Sequence, residues 1–200
     1  MVRPRVPILT PMRIADAALA LVEQTGDLQM VQLAKTLGVA PSSLYSHVDG
    51  RAEVIDLARL RMLERMEPQP PVTQWREGVE RLLRQLTAGY TRHKRMLPLI
   101  FGSTISEERT IALYEPVFAA LLEAGFIPEQ LRLIAALIDF QAMGLAHGFP
   151  EPAMTENIRK NLPAYTASID HSQYSPESAT AFSAQVLIRG LASMLREEHG

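Results

Sequence analysis

The sequence predicts an all-α protein, and three observations carry the prediction. Apolar residues recur at i, i+3 and i+4 along nearly the whole chain. Period-two alternation of apolar and polar residues, the mark of half-buried strands, is almost missing. Prolines and glycines fall where such helices would begin and end.

The first helix opens in LTPMRIADAALALVEQTG, with Thr10 as N-cap, Pro11 in the first turn and Gly26 as terminator. Ile14, Ala17, Ala18, Leu21 and Val22 form its apolar stripe. A short helix follows in MVQLAKTLG, with Leu33, Ala34 and Leu37 inward and Gly38 making the turn. APSSLYSHV predicts another from Pro41 to Val48, about 12 Å long at 1.5 Å per residue. In DGRAEVIDLARLRMLERM, Asp49 or Gly50 caps a fourth helix and Glu53 stands at the acidic position of a capping box. That helix runs to about Met66.

The three prolines of EPQPPVT forbid a continuous helix, because proline lacks a backbone donor and clashes with the preceding turn. The expected boundary falls there, giving domains 1–66 and 67–200. Beyond it, amphipathic stretches predict helices over 74–94, 96–104, 107–124, 128–147 and 176–198, with 149–175 a mobile connection holding one possible helix over 153–168.

Composition removes several classes of function. With 200 residues the chain can bury a core without staples, and it has no cysteine for a disulfide, a thiolate metal site or a nucleophile. The start, MVRPRVPILTPMR, has no apolar signal-peptide run. LIAALIDFQAMGLA is interrupted by Asp139 and Gln141, short of the roughly 20 apolar residues of a membrane span. The expectation is a soluble cytoplasmic protein with no membrane partner. His93, His147 and Asp139 share no metal-ligand spacing, so neither a metal nor a cofactor is expected. No phosphate loop, nucleophile elbow or paired-carboxylate motif is present, so no catalytic residue is assigned and the chain does not read as an enzyme.

The formal charge of −2, from 20 basic and 22 acidic residues, gives no general sign of a polyanionic partner. Residues 1–66 carry a net of only +1, so any case for DNA rests on where the charges sit. The spacing supplies one. Two short helices about a Gly turn form a helix-turn-helix pattern, whose second helix enters the major groove. Leu44 and Val48, four apart, anchor that helix, leaving Ser42, Ser43, Tyr45, Ser46 and His47 outward. Short side chains allow close approach to base edges at Ser42 and Ser43, and hydroxyls or imidazole can donate to phosphate oxygens. Arg3, Arg5 and Arg13 could reach the DNA backbone or a minor groove, or form only a basic tail.

The stretch LAKTLGVAPSSLYSHVDGRAEVI resembles the N-terminal domain of the TetR family of transcriptional regulators, with Leu33, Ala34, Leu37, Gly38, Val39, Leu44, Tyr45, His47 and Val48 in register. The likeness covers about residues 10–60. It implies phosphate contacts for Tyr45, His47 and Arg51, the last replacing the usual Lys, where the competing reading is a solvated charge. Gln29 replaces the usual Ser or Thr cap and Val31 a frequent Arg, which alters the expected operator.

The implied protein is a homodimer on a palindromic double-stranded DNA operator, released by a small-molecule effector that moves the fourth helix. Helices 128–147 and 176–198, the latter with Phe182, Val186, Ile188, Leu191 and Leu195, are the expected halves of a four-helix bundle between two copies. Met96, Phe101, Tyr114, Phe118, Phe140, Gln141, Met143 and His147 are the expected ligand-chamber residues, against the plainer reading of ordinary core. A second class remains open: a small-molecule-binding helical module with little specific DNA binding.

Overall fold

The computed structural model describes residues 9–64, 71–101, 103–150, 153–172 and 174–197, and every regular element among them is helical. The first four helices are α1 (Pro11–Thr25), α2 (Met30–Leu37), α3 (Pro41–Tyr45) and α4 (Arg51–Glu64). Thr10 caps α1 by accepting the Arg13 N–H at 3.3 Å, and Gly26, at φ 78°, closes it by donating to Val22 at 2.8 Å. The α1 stripe is Ile14, Ala15, Ala18, Leu19, Leu21 and Val22, with Ala17 half-buried.

Helix α3 is shorter than the sequence pattern suggests. It stops at Tyr45, so it spans about 7.5 Å at 1.5 Å per residue. Its last turn tightens: His47 N–H reaches Leu44 O, three residues back, at 3.0 Å. Leu44 and Val48 are both buried, so the anchoring pair holds. Glu53 accepts the Asp49 N–H at 2.5 Å at the head of α4.

From Val54 to Leu60 every residue of α4 is buried, so this helix has no solvent face there. It packs on α1 and on the helices that follow: α5 (Trp75–Arg92), α6 (Leu97–Ile100) and α7 (Glu108–Ile111), with a single 3-10 turn at Lys94–Met96. The expected end of α4 near Met66 and the 66/67 boundary lie outside the described residues. Next come α8 (Glu115–Glu123), α9 (Pro128–His147), α10 (Glu156–Asn161), α11 (Pro163–Asp170) and α12 (Pro176–Glu197). Helix α5 is the axis of this half, packed by α8, α9 and α12, with Trp75 edge-on to Phe126 at 5.4 Å between ring centroids.

Two predicted helices are cut. The stretch 107–124 divides into α7 and α8 because Pro116, in the first turn of α8, has no N–H to continue a helix from α7. The stretch 96–104 keeps only α6, and the chain from Ser103 to Glu107 runs irregularly beside α4. In place of one helix over 153–168 there are two short ones, α10 and α11, neither with a buried residue.

Candidate nucleic-acid interface and ligand chamber

The turn between α2 and α3 is set by Gly38, whose φ of 70° favours glycine. It leaves Ser42, Ser43, Tyr45, Ser46 and His47 on one exposed segment, with Tyr45 53% accessible. Ser46 Oγ donates to Ser43 O at 2.8 Å, which fixes that hydroxyl against its own turn. On α2, Val31 is 72% exposed and sits beside exposed Gln32, Lys35 and Thr36.

Arg51 is placed differently from a plain solvated charge. Its Nε donates to Leu28 O at 3.0 Å and its Nη2 reaches Asp27 Oδ1 at 3.3 Å, so it braces the loop before α2 against the head of α4. Asp27 also accepts the Leu28 N–H at 2.7 Å and the Gln29 side-chain amide at 3.3 Å. The Leu28 N–H first, then Gln29 and Arg51, hold the Asp27 carboxyl below its ordinary range. Asp27 thus supplies a carboxylate near the α2 N-terminus, where Gln29 makes no side-chain cap.

Two other arginines of this half are committed internally. Arg61 pairs with Asp16 of α1 at 2.7 Å. Arg59 is buried and bonds Ile100 O at 3.0 Å, Thr104 O and Asp56 at 3.4 Å, and the Ser103 hydroxyl. Asp56 in turn accepts the backbone N–H groups of Ser106 and Glu107 at 2.6 and 2.7 Å. Asp56 and Arg59 therefore clip the irregular chain after α6 to α4. A cleft of 960 Å³ lies along this junction, with Arg51, Asp56, Phe101 and Glu107 among its walls.

Two further hollows lie by α9. One, of 370 Å³, is walled by Ile111, Tyr114, Phe118, Arg132, Asp139 and Phe140. The other, of 580 Å³, is walled by Leu97, Pro98, Phe101, Phe140, Met143 and His147. Phe140 borders both, with its ring centroid 6.3 Å from that of Phe101. Of the residues expected at a ligand chamber, six are thus divided between two hollows. Met96 is instead fully buried in the core, where the 3-10 turn packs on α1 and α5. Gln141 lines none of these three spaces, and its Oε1 is buried with no hydrogen-bond partner among the described residues.

Asp139 lies in the first hollow, and its Oδ1 accepts the Tyr90 hydroxyl of α5 at 2.5 Å. Burial raises its carboxyl above the ordinary range, opposed by hydrogen bonds from Tyr90 and Tyr114 and by the field of Arg59. Burial, then Asp139, pushes the phenols of Tyr90 and Tyr114 upward. The sequence signalled Asp139 only as a charge inside an apolar run, and it signalled the Asp56 and Arg59 clip not at all.

The tetracyclin repressor-like C-terminal domain family matches residues 67–186. The HTH-type transcriptional repressor DrrR1 of Streptomyces coeruleorubidus is similar at 28% identity over 144 residues, 70% of this chain and 53% of that protein. The chain spans about half the length of the curated relatives it matches. ActR of Streptomyces coelicolor, solved with actinorhodin, superimposes with a TM-score of 0.71 at 20% identity, covering 94% of this chain and 99% of ActR. BioQ, a Mycobacterium smegmatis protein, superimposes in its complex with its natural double-stranded DNA operator at a TM-score of 0.63 and 19% identity, covering 93% of this chain and 99% of BioQ. At these identities the likeness is one of fold.

Proposed function

The chain belongs to the TetR family of transcriptional regulators, and from that premise we propose that it is a homodimeric, cytoplasmic repressor. Residues 1–66 would hold a palindromic operator, and a small molecule within residues 67–200 would release it. Tyr45 and His47 would touch phosphates, with Ser42 and Ser43 toward base edges and Ser46 beside them. Arg51 would both brace α2 and offer its remaining N–H groups to a phosphate.

The observation that carries the ligand-responsive reading is the clip from α4 to the chain at 100–107. Through it, any shift at the aromatic hollows bears on the helix that seats the helix-turn-helix. Dimerisation is supported by apolar residues facing outward on adjacent helices: Leu133, Leu137 and Phe140 on α9, Phe182, Val186 and Met194 on α12. Each helix already buries its opposite face, so a second copy is the natural cover.

The deciding experiment is fluorescence anisotropy of the full chain on the DNA upstream of its own coding sequence, across salt concentrations. Salt-sensitive, sequence-selective binding weakened by Tyr45→Ala is the expected result. Binding that ignores sequence would instead favour a ligand-binding module with little specific DNA contact. The internal use of Arg59 and Arg61 is the observation on that side.

A further inference from the structure

We propose that the hollow between α8 and α9 takes an aromatic effector bearing a cationic amine, and that Asp139 is the residue that receives the amine. The inference rests on reading the C-terminal half as ligand-binding, and adds the chemical class of the ligand.

The walls select for a ring. Tyr114 and Phe118 stand 6.2 Å apart between centroids and tilted by 43°, with Phe140 across from them on α9. Such faces also attract a cation through their quadrupoles. The volume of 370 Å³ suits one compact ring system rather than an extended chain.

Charge selects the amine. Asp139 is the acidic group on this wall, and among the described residues it forms no ion pair. Its known donors, Tyr90 and Tyr114, are neutral phenols. A carboxylate has about four acceptor positions, so two phenols leave capacity facing the hollow. Arg59 acts on it only through its field, because its guanidinium is already occupied by Asp56, Ser103 and the carbonyls of Ile100 and Thr104. Arg132 also borders the hollow but is exposed to solvent, where its attraction for an anion is screened. A half-buried carboxylate without a cation is a costly arrangement that an ammonium would complete, whereas a ligand carboxylate would meet like charge.

Tryptamine and indole-3-propionate share a ring and a tether but differ in the sign of the terminal charge. Isothermal titration calorimetry on the full chain is expected to show tryptamine bound at least about tenfold more tightly than the acid. Asp139→Asn, nearly isosteric, should reduce that preference to about twofold or less. Ala136→Phe, which fills the hollow from its exposed rim and leaves Asp139 in place, should abolish amine binding. Equal binding of the acid, a preference that survives Asp139→Asn, or no amine binding at about 1 mM would each overturn the proposal. Operator binding measured on the same preparations separates the two levels of inference. Amine bound at Asp139 with operator affinity untouched removes the effector reading and keeps the site. Operator binding with no amine binding removes the site and keeps the regulator.

Discussion

Arg59 of α4 donates to the carbonyl of Ile100 at 3.0 Å across 41 residues of sequence, and it does so fully inside the protein. With Asp56 alongside, one turn of α4 holds the carbonyl that ends α6 and both donors and acceptors of the irregular chain at 103–107. A clip of this kind is costly to break from the side of the loop or of either partner, because the two charged side chains of α4 are themselves buried.

Asp56→Ala is therefore expected to cost about 3 kcal/mol of stability, since it leaves the buried Arg59 without its counter-charge and unpairs two part-buried backbone N–H groups. Asp56→Asn, which keeps one acceptor, should recover part of the loss. Urea denaturation of the three proteins checks this, and a loss within about 0.5 kcal/mol for Asp56→Ala would show the clip to be structurally idle. The same substitution should weaken the dependence of operator binding on effector.

The clip also explains which parts of the fold were legible. Helix α9 was readable to the residue, because Pro128 opens it and Gly148, at φ 86°, follows its last turn. Pro116 marked the break between α7 and α8 just as clearly, but the apolar spacing around it argued for continuity. The expected helix over 96–104 failed for a tertiary reason. Where the helix stops, the carbonyls of Ile100 and Thr104 accept from Arg59, and just beyond the stretch the N–H groups of Ser106 and Glu107 donate to Asp56, partners 41 to 51 residues away that no local pattern reveals. At the chamber the aromatic residues were visible by type. Which of them share a hollow depends on how α8 crosses α9, and that packing also decides that Asp139 faces the space while Met96 does not.

Tyr45 and Arg51 should separate contact from scaffolding at the DNA face. Tyr45→Phe removes one hydroxyl from an exposed ring and should cost about 1 kcal/mol of operator binding without shifting Tm. Arg51→Met removes the bonds to Leu28 and Asp27 as well as a cation, so it should lower Tm and reduce the salt slope of binding by about one. A lowered Tm with an unchanged slope would leave Arg51 a brace alone.

Asp139 should leave a trace in the pH dependence of stability. Its carboxyl ordinarily titrates at 3.8 and is raised by folding, so between that value and the folded-state one the native state keeps a proton that the unfolded chain has lost, and above both it is a carboxylate. The resulting stabilisation is fully present below 3.8 and disappears as pH rises through the folded-state value. Asp139→Asn cannot titrate. The stability of the parent relative to Asp139→Asn should therefore fall as pH increases from below 3.8 and then level off. Denaturation of both proteins over a pH series measures that difference, and a rise with pH would contradict the burial argument.

Gly78 offers a packing test. A Cβ there would stand 2.7 Å from Val72 Cγ1 and 3.5 Å from Val117 Cγ2, while the backbone is ordinary helix. Alanine would gain about 1 kcal/mol in helix propensity but must displace a short, branched side chain, which typically costs 1 to about 3 kcal/mol. Gly78→Ala is expected to destabilise, and the double variant with Val72→Ala to recover the loss, as read from urea midpoints. Stabilisation by the single variant would mean the Val72 segment yields freely.

Phe182 is the place to test assembly. It is 68% exposed on α12, four residues from exposed Val186, while Ala184, Leu187 and Leu191 fill the inner face. Phe182→Asp should leave the protomer folded, because little of the side chain is buried in it. In a dimer it would bury a charge against a like charge on the symmetry-related helix, which a two-fold interface cannot avoid near its axis. Light scattering should then report a monomer, and operator affinity should fall about a hundredfold or more as linked half-site binding is lost. A variant that remains dimeric would move the interface elsewhere on α9 and α12, and one that is monomeric yet binds the operator normally would sink the two-copy reading of DNA recognition.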